Sequence, residues 1–89
     1  MNKITVYHHN KVLNIYEKKV YENASIHGFN TITVRIFTKE PVIISPGDYV
    51  LRGTICEENP PKDRAHKITE VYENLRGTRP HYKLKGEFI

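Results

Sequence analysis

The sequence predicts a single all-β domain, a small barrel or sandwich of about six short strands, and three observations carry that expectation. Residues 31–37 (Thr-Ile-Thr-Val-Arg-Ile-Phe) place Ile32, Val34 and Ile36 on one face and Thr31, Thr33 and Arg35 on the other. β-Branched residues at period two mark a half-buried strand. Residues 81–85 (His-Tyr-Lys-Leu-Lys) alternate in the same way, with Tyr82 and Leu84 inward. Between the two, Pro46-Gly47-Asp48 reads as a tight turn, with Pro setting φ at one corner and Gly accepting positive φ at the next. A chain of 89 residues holds one thin core, so 1–89 is read as a single domain.

Taken in order, Lys3 to Tyr7 alternates as a first strand, with His8-His9-Asn10-Lys11 as the connection out of it. Val12 to Tyr16 reads as a second strand paired to the first in a hairpin. Residues 17–27 carry only weak alternation and are read as extended, with a break at 23–25 and a turn at 27–30. Pro41-Val42-Ile43-Ile44-Ser45 is a short apolar run. Residues 49–56 resume as a strand in which Gly53 marks a bulge or a close backbone approach. Residues 57–63 (Glu-Glu-Asn-Pro-Pro-Lys-Asp) form an exposed loop.

The segment 64–76 supports two readings. Ala65, Ile68, Val71, Tyr72 and Leu75 sit at helical spacing, with Asp63 as a cap and Gly77 as a stop, which gives an α+β alternative with a helix at 64–76. Residues 66–72 are also rich in strand formers, and two apolar residues three apart fit a bulged strand. In that case 74–80, with Gly77 inside it, is a hairpin loop.

Composition bounds the function. Apolar residues are 38 % and charged residues 27 %, with six Tyr, three Phe and no Trp, too apolar and aromatic for a disordered chain. No stretch approaches the roughly 20 apolar residues of a membrane helix, and the N-terminus lacks the apolar block of a signal peptide. The single cysteine, Cys56, excludes an internal disulfide and points to a reducing compartment. The net charge of +4 is spread along the chain, except that 74–86 holds Arg76, Arg79, Lys83 and Lys85 with His81 and no acid. Such a cluster suits phosphates or an acidic protein face.

Catalytic and metal motifs are weak. His8 and His9 are neighbours, and His27, His66 and His81 show no ligand spacing, so no metal is expected. Cys56 follows an apolar strand and reads as a small core or half-buried side chain. No nucleophile elbow or phosphate-cradling glycine loop is present. We therefore expect no enzyme and no cofactor. Tyrosines interleaved with cations leave open a small nucleic-acid-binding module using Lys18, Lys19, Arg35 and the 76–85 cations.

The stretch "ISPGDYVLRGTI" followed by "HKITEVYENLRGTRPHYKLKGE" resembles small tailed-bacteriophage structural proteins of the head–tail connector region, of the minor capsid and head-completion type. The matching positions are Gly47, Asp48, Val50 and Gly53, then Ile68, Val71, Asn74, Gly77, His81, Tyr82 and Leu84. Tyr82 stands where that pattern has Trp, and the front third of the chain has no counterpart in it. The resemblance implies strands at 67–73 and 81–85, and a β-barrel or sandwich that joins a ring of identical copies among other phage structural proteins. It places the chain in the virion, or in the host cytoplasm before assembly, with no membrane role. Its function is then non-enzymatic and rests on protein–protein contacts, with Arg76, Arg79, His81, Lys83 and Lys85 at the partner surface. Gly47, Asp48, Gly53 and Gly77 shape its turns, and the loop at 57–66 and the basic hairpin 74–86 are the docking elements. A phage-encoded inhibitor of a host protein is a further alternative.

Overall fold

Six strands form, all antiparallel to their neighbours: β1 (Asn2–Asn10), β2 (Ile15–Gly28), β3 (Thr31–Ile36), β4 (Tyr49–Arg52), β5 (His66–Asn74) and β6 (His81–Glu87). The structure, a computed structural model, describes residues 2–88. The strands close into a barrel in the order β1-β2-β3-β6-β5-β4. Because β4 returns to lie beside β1, the first four strands make a Greek key. Closure leaves three loops at one end of the barrel (11–14, 37–48 and 75–80). The β2–β3 turn, the 53–65 connection and the end of β6 lie at the other.

The interior takes alternate residues from every strand: Ile4 and Val6, Ala24 and Ile26, Ile32, Val34 and Ile36, Val50, Ile68 and Leu84. This is the face the period-two pattern assigns, and Tyr82 joins it as a buried side chain. A second cluster lies outside the barrel wall. Tyr7, Tyr49 and Leu51 point outward from β1 and β4, yet they are covered by Ala65 and Ile55 of the 53–65 connection. That cover explains why Ile4, Thr5, Val6 and Tyr7 are buried without interruption, since both faces of β1 are roofed.

Hydrogen bonds pin the cover. Thr5 Oγ1 donates to the Gly53 carbonyl at 2.7 Å and accepts from the Ile55 N–H at 3.1 Å. Tyr7 donates its hydroxyl proton to the Glu57 carbonyl at 2.6 Å. Burial, followed by the nearby Glu57 charge, pushes the Tyr7 phenol above the usual value near 10. A phenol raised in this way adds stability that is complete below the unfolded value, and it is lost as pH climbs through the folded one. We expect the denaturation midpoint of the wild type to fall above about pH 10 and Tyr7→Phe to flatten that fall, while costing about 1 kcal/mol at neutral pH. Parallel alkaline profiles for the two proteins would remove Tyr7 from the account.

Several expectations are corrected. The segment 64–76 contains no helix: β5 is a strand with an irregularity between Ile68 and Glu70, which shifts the alternation by one residue and produces the helix-like spacing. The first hairpin turns later than expected. His8, His9 and Asn10 belong to β1, and Val12 and Leu13 sit in the turn at 11–14. The Asn10 side chain accepts from the N–H groups of Val12 and Leu13, both at 3.1 Å, and Asn14 takes φ of 53°, a conformation Asn tolerates. The expected break at 23–25 is continuous strand. β4 ends at Arg52, and Gly53 (φ 79°) carries the chain off the strand rather than forming a bulge within it. Its N–H still donates to the Lys3 carbonyl at 2.8 Å, but a Cβ there would meet nothing within 4 Å, so the glycine serves the positive φ rather than a close backbone approach.

Candidate docking site

The 37–48 loop crosses the barrel end because β3 and β4 are not neighbours, and Asp48 fixes where it lands. This carboxylate is almost fully buried. Its Oδ2 accepts from the Ser45 N–H at 2.8 Å and from His8 Nδ1 at 2.7 Å, and its Oδ1 accepts from the His9 N–H at 3.1 Å. Its own backbone carbonyl accepts from the Ile68 N–H at 2.7 Å. One residue thus ties the loop to β1 and β5. Three donors converging on a buried carboxylate need no counterion beyond them.

The end that Asp48 holds is the apolar one. Among the described residues, eight large apolar side chains are markedly exposed. Six of them, Val12, Leu13, Ile15, Ile43, Tyr72 and Leu75, belong to the three loops at this end or to the strand residues beside them. Val12 is 93 % exposed and Ile43 72 % exposed. The same loops carry Lys11, Lys39, Arg76 and Arg79, with Glu40 as their exposed acid and Glu73 exposed on β5 beside Tyr72. This crown is apolar at its projections and cationic around them.

The residues that sequence assigned to a partner surface divide into two groups. Arg76 and Arg79 lie exposed in the crown loop 75–80. His81, Lys83 and Lys85 alternate along the outer face of β6 below it, opposite the inward Tyr82 and Leu84. Across the strands, Lys83 pairs with Arg35 on β3 and Tyr72 on β5, and Lys85 pairs with Thr33 and Glu70. The Arg79 guanidinium sits 3.9 Å over the Phe37 ring, which packs at 5.6 Å against His81. His81 Nδ1 donates to the Arg79 carbonyl at 3.0 Å. The outcome is a cationic and aromatic strip running from the crown down β6. Tyr72 donates its hydroxyl proton to Glu70 at 2.6 Å, and that bond raises its phenol pKa.

The turn residues are placed separately. Gly47 (φ 98°) takes the positive φ expected of it at the Asp48 turn, and Gly77 (φ 104°) lies in the crown loop between β5 and β6. Cys56 is exposed, contrary to the half-buried expectation, because the chain has already left β4 and lies on the outside of the barrel. The proline-rich loop is exposed at 57–59 but anchored by buried Pro60 and Ala65. His66 is buried, with Nε2 donating to the Phe29 carbonyl at 2.6 Å and its ring stacked on Phe88 at 3.8 Å.

Sequence reasoning missed the crown. Its signal was present as Val12-Leu13 beside Asn10 and Asn14, a turn-forming frame around two apolar residues. The readable alternation had drawn those two into a strand instead. Comparison with known proteins yields no family model, no curated protein and no solved structure that matches the chain.

Proposed function

We propose that this chain is a non-enzymatic docking protein of the tailed-phage head–tail connector region, seated on another phage structural protein through its crown. The observation that carries the reading is the crown itself: three loops at one barrel end, each presenting large apolar side chains to solvent within a cationic surround. Exposed apolar groups clustered in this way mark protein–protein contacts, and turn bonds such as those of Asn10 hold the projections in place before binding. The fitting partner has an apolar recess with an acidic rim. The phage assignment rests on the resemblance of 44–55 and 66–87.

The test is made in virions. The protein should be present in purified particles, and its loss should leave filled heads and unjoined tails. Val12→Asp/Leu13→Asp should reproduce that defect and weaken docking roughly a hundredfold, the effect of removing two apolar anchors, while leaving the melting temperature unchanged. Absence of the protein from particles, or normal joining by the double variant, overturns the reading.

The strip on β6 supports a second reading, a single-stranded nucleic-acid site using Arg35, Lys83 and Lys85 beside Phe37, His81 and Tyr72. It requires oligonucleotide binding that falls steeply with salt.

A further inference from the structure

We propose that the cleft at the barrel end opposite the crown binds an aromatic ring bearing a carboxylate, held by Phe29, Phe88, Arg52 and Arg64. This site is separate from crown docking and stands whether or not the protein belongs to a virion.

Three segments distant in sequence frame the cleft: the β2–β3 turn, the 53–65 connection and the end of β6. The markedly exposed large apolar side chains outside the crown, Phe29 (77 %) and Phe88 (40 %), both lie here. Their rings meet edge to face with centroids 6.4 Å apart. Phe88 also stacks on the buried His66 ring, so an exposed aromatic is backed by a buried one.

Hydrogen bonds hold this wall in place. His66 Nε2 donates to the Phe29 carbonyl at 2.6 Å and the Phe88 N–H to the Asn30 carbonyl at 3.0 Å. Arg52 Nη2 donates to the Gly28 carbonyl at 2.9 Å. The turn is thus bonded to β5, to β4 and to the residue after β6, which fixes the rings before any ligand arrives.

Between the wall and the 53–65 connection lies a space of about 220 Å³. Leu51 and Ile55 give it an apolar side, and Arg52 and Arg64 line it with their guanidinium groups. Among the described residues no carboxylate lines it. Arg64 Nη2 donates to Glu57 Oε1 at 3.1 Å, in a pair whose two side chains are both exposed. Such a pair is weak, so a ligand displaces it at little cost. Among the described residues each of the two guanidinium groups has one bonded N–H of the five it carries.

The lining selects the ligand. Ring faces over an apolar side take an aromatic group, and a guanidinium takes a planar oxyanion in bidentate fashion. The space is smaller than the roughly 300–1,000 Å³ of pockets for drug-sized molecules, so it suits one ring with one charged group. A mononucleotide adds a sugar to that set. The elements around the cleft also carry exposed Glu57, Glu58, Asp63 and Glu87, which oppose a nucleic-acid strand charged at every phosphate. A free aromatic acid and the C-terminal residue of another chain present the same carboxylate chemistry.

NMR titration of the full chain, read at the Arg side-chain and Phe ring signals, tests the proposal. N-acetyl-phenylalanine should bind with a dissociation constant of about 1 mM, shifting Phe29, Phe88, Arg52 and Arg64. Its amide, the same ring without the charge, should bind at least roughly tenfold more weakly. Arg64→Gln should narrow that gap by weakening the acid alone, whereas Phe29→Ala should weaken both probes. Both positions are exposed, so unchanged melting temperatures serve as the folding control. A short peptide ending in a free phenylalanine carboxylate that binds more tightly than the acetylated amino acid makes a chain terminus the source. Weaker binding of that peptide makes the free acid the source. No saturable binding, an acid no tighter than its amide, or tighter binding of uridine monophosphate than of the acid each overturns the proposal. Val12→Asp/Leu13→Asp should leave the affinity unchanged; if that variant abolishes binding, the crown is the site and the cleft is excluded.

Discussion

Asp48→Ala will cost about 3–5 kcal/mol, a large part of the 5–15 kcal/mol that holds a domain of ordinary stability. The side chain is only 4 % exposed and accepts from three donors, the Ser45 and His9 N–H groups and His8 Nδ1. Truncation strands those three part-buried donors, and each unsatisfied group costs about 1–3 kcal/mol, toward the lower end where water reaches Ser45 and His8. Asp48→Asn should fall between wild type and alanine, since its amide oxygen keeps one acceptor while its NH2 faces donors. The measurement is the denaturant midpoint of the three proteins at constant slope. A shift under 1 kcal/mol for the alanine variant would show that the loop holds without its carboxylate. Because the same residue anchors the 37–48 loop, destabilisation should come with faster amide exchange at Ser45 and His9 than in the wild type.

The parts of the fold that were legible in sequence are those with a roof on one face only. β3 and β6 line the interior and present polar residues outside, so their alternation is clean and Ile32, Val34, Ile36, Tyr82 and Leu84 were assigned correctly. β2 was obscure because its residues 15–22 extend past the neighbour β3. Glu17, Lys18, Lys19 and Glu22 fill most of that extension, and the half-buried Tyr16 and Tyr21 pack on different clusters, Tyr16 on the outer one and Tyr21 on the interior, so neither face carries a run of apolar residues. β5 was ambiguous for a different reason. One irregularity turned a spacing of two into a spacing of three, which propensity alone cannot tell from a helical turn. The outer cluster of Tyr7, Tyr49 and Leu51 was illegible because it depends on where the 53–65 connection folds back.

The candidate site was half legible. Charge counting located Arg76, Arg79, Lys83 and Lys85, and the barrel sets them along one line from loop to strand. It could not bring Ile43 and Leu75 to the same barrel end as Val12 and Leu13, because that placement follows only from the strand order. Asp48 was singled out as a turn residue. Its larger role, joining the loop to β1 and β5, rests on partners 39 and 40 positions earlier in the chain.

Gly28→Val should be the most damaging valine substitution among the four positive-φ glycines, costing about 3 kcal/mol or more and lowering the melting temperature by roughly 12 °C or more. Sequence reading marked Gly47, Gly53 and Gly77 and gave Gly28 no special place within its turn. All four adopt positive φ, from 79° at Gly53 to 108° at Gly28. They differ in their surroundings. A Cβ at Gly47, Gly53 or Gly77 meets nothing within 4 Å, so valine there carries only backbone strain, about 1–2 kcal/mol. At Gly28 a Cβ would run into the Thr31 carbonyl oxygen, with the backbone of Ile32 close behind. Backbone cannot swing aside as a flexible side chain does, and Ile32 belongs to the packed interior. The Gly28 carbonyl also accepts from Arg52 Nη2 at 2.9 Å, so displacement of the turn loosens the end of β4 as well. Thermal melts of the four single valine variants decide the matter. Steric exclusion places Gly28→Val well below the other three, whereas four equal decrements would mean that φ alone sets the cost.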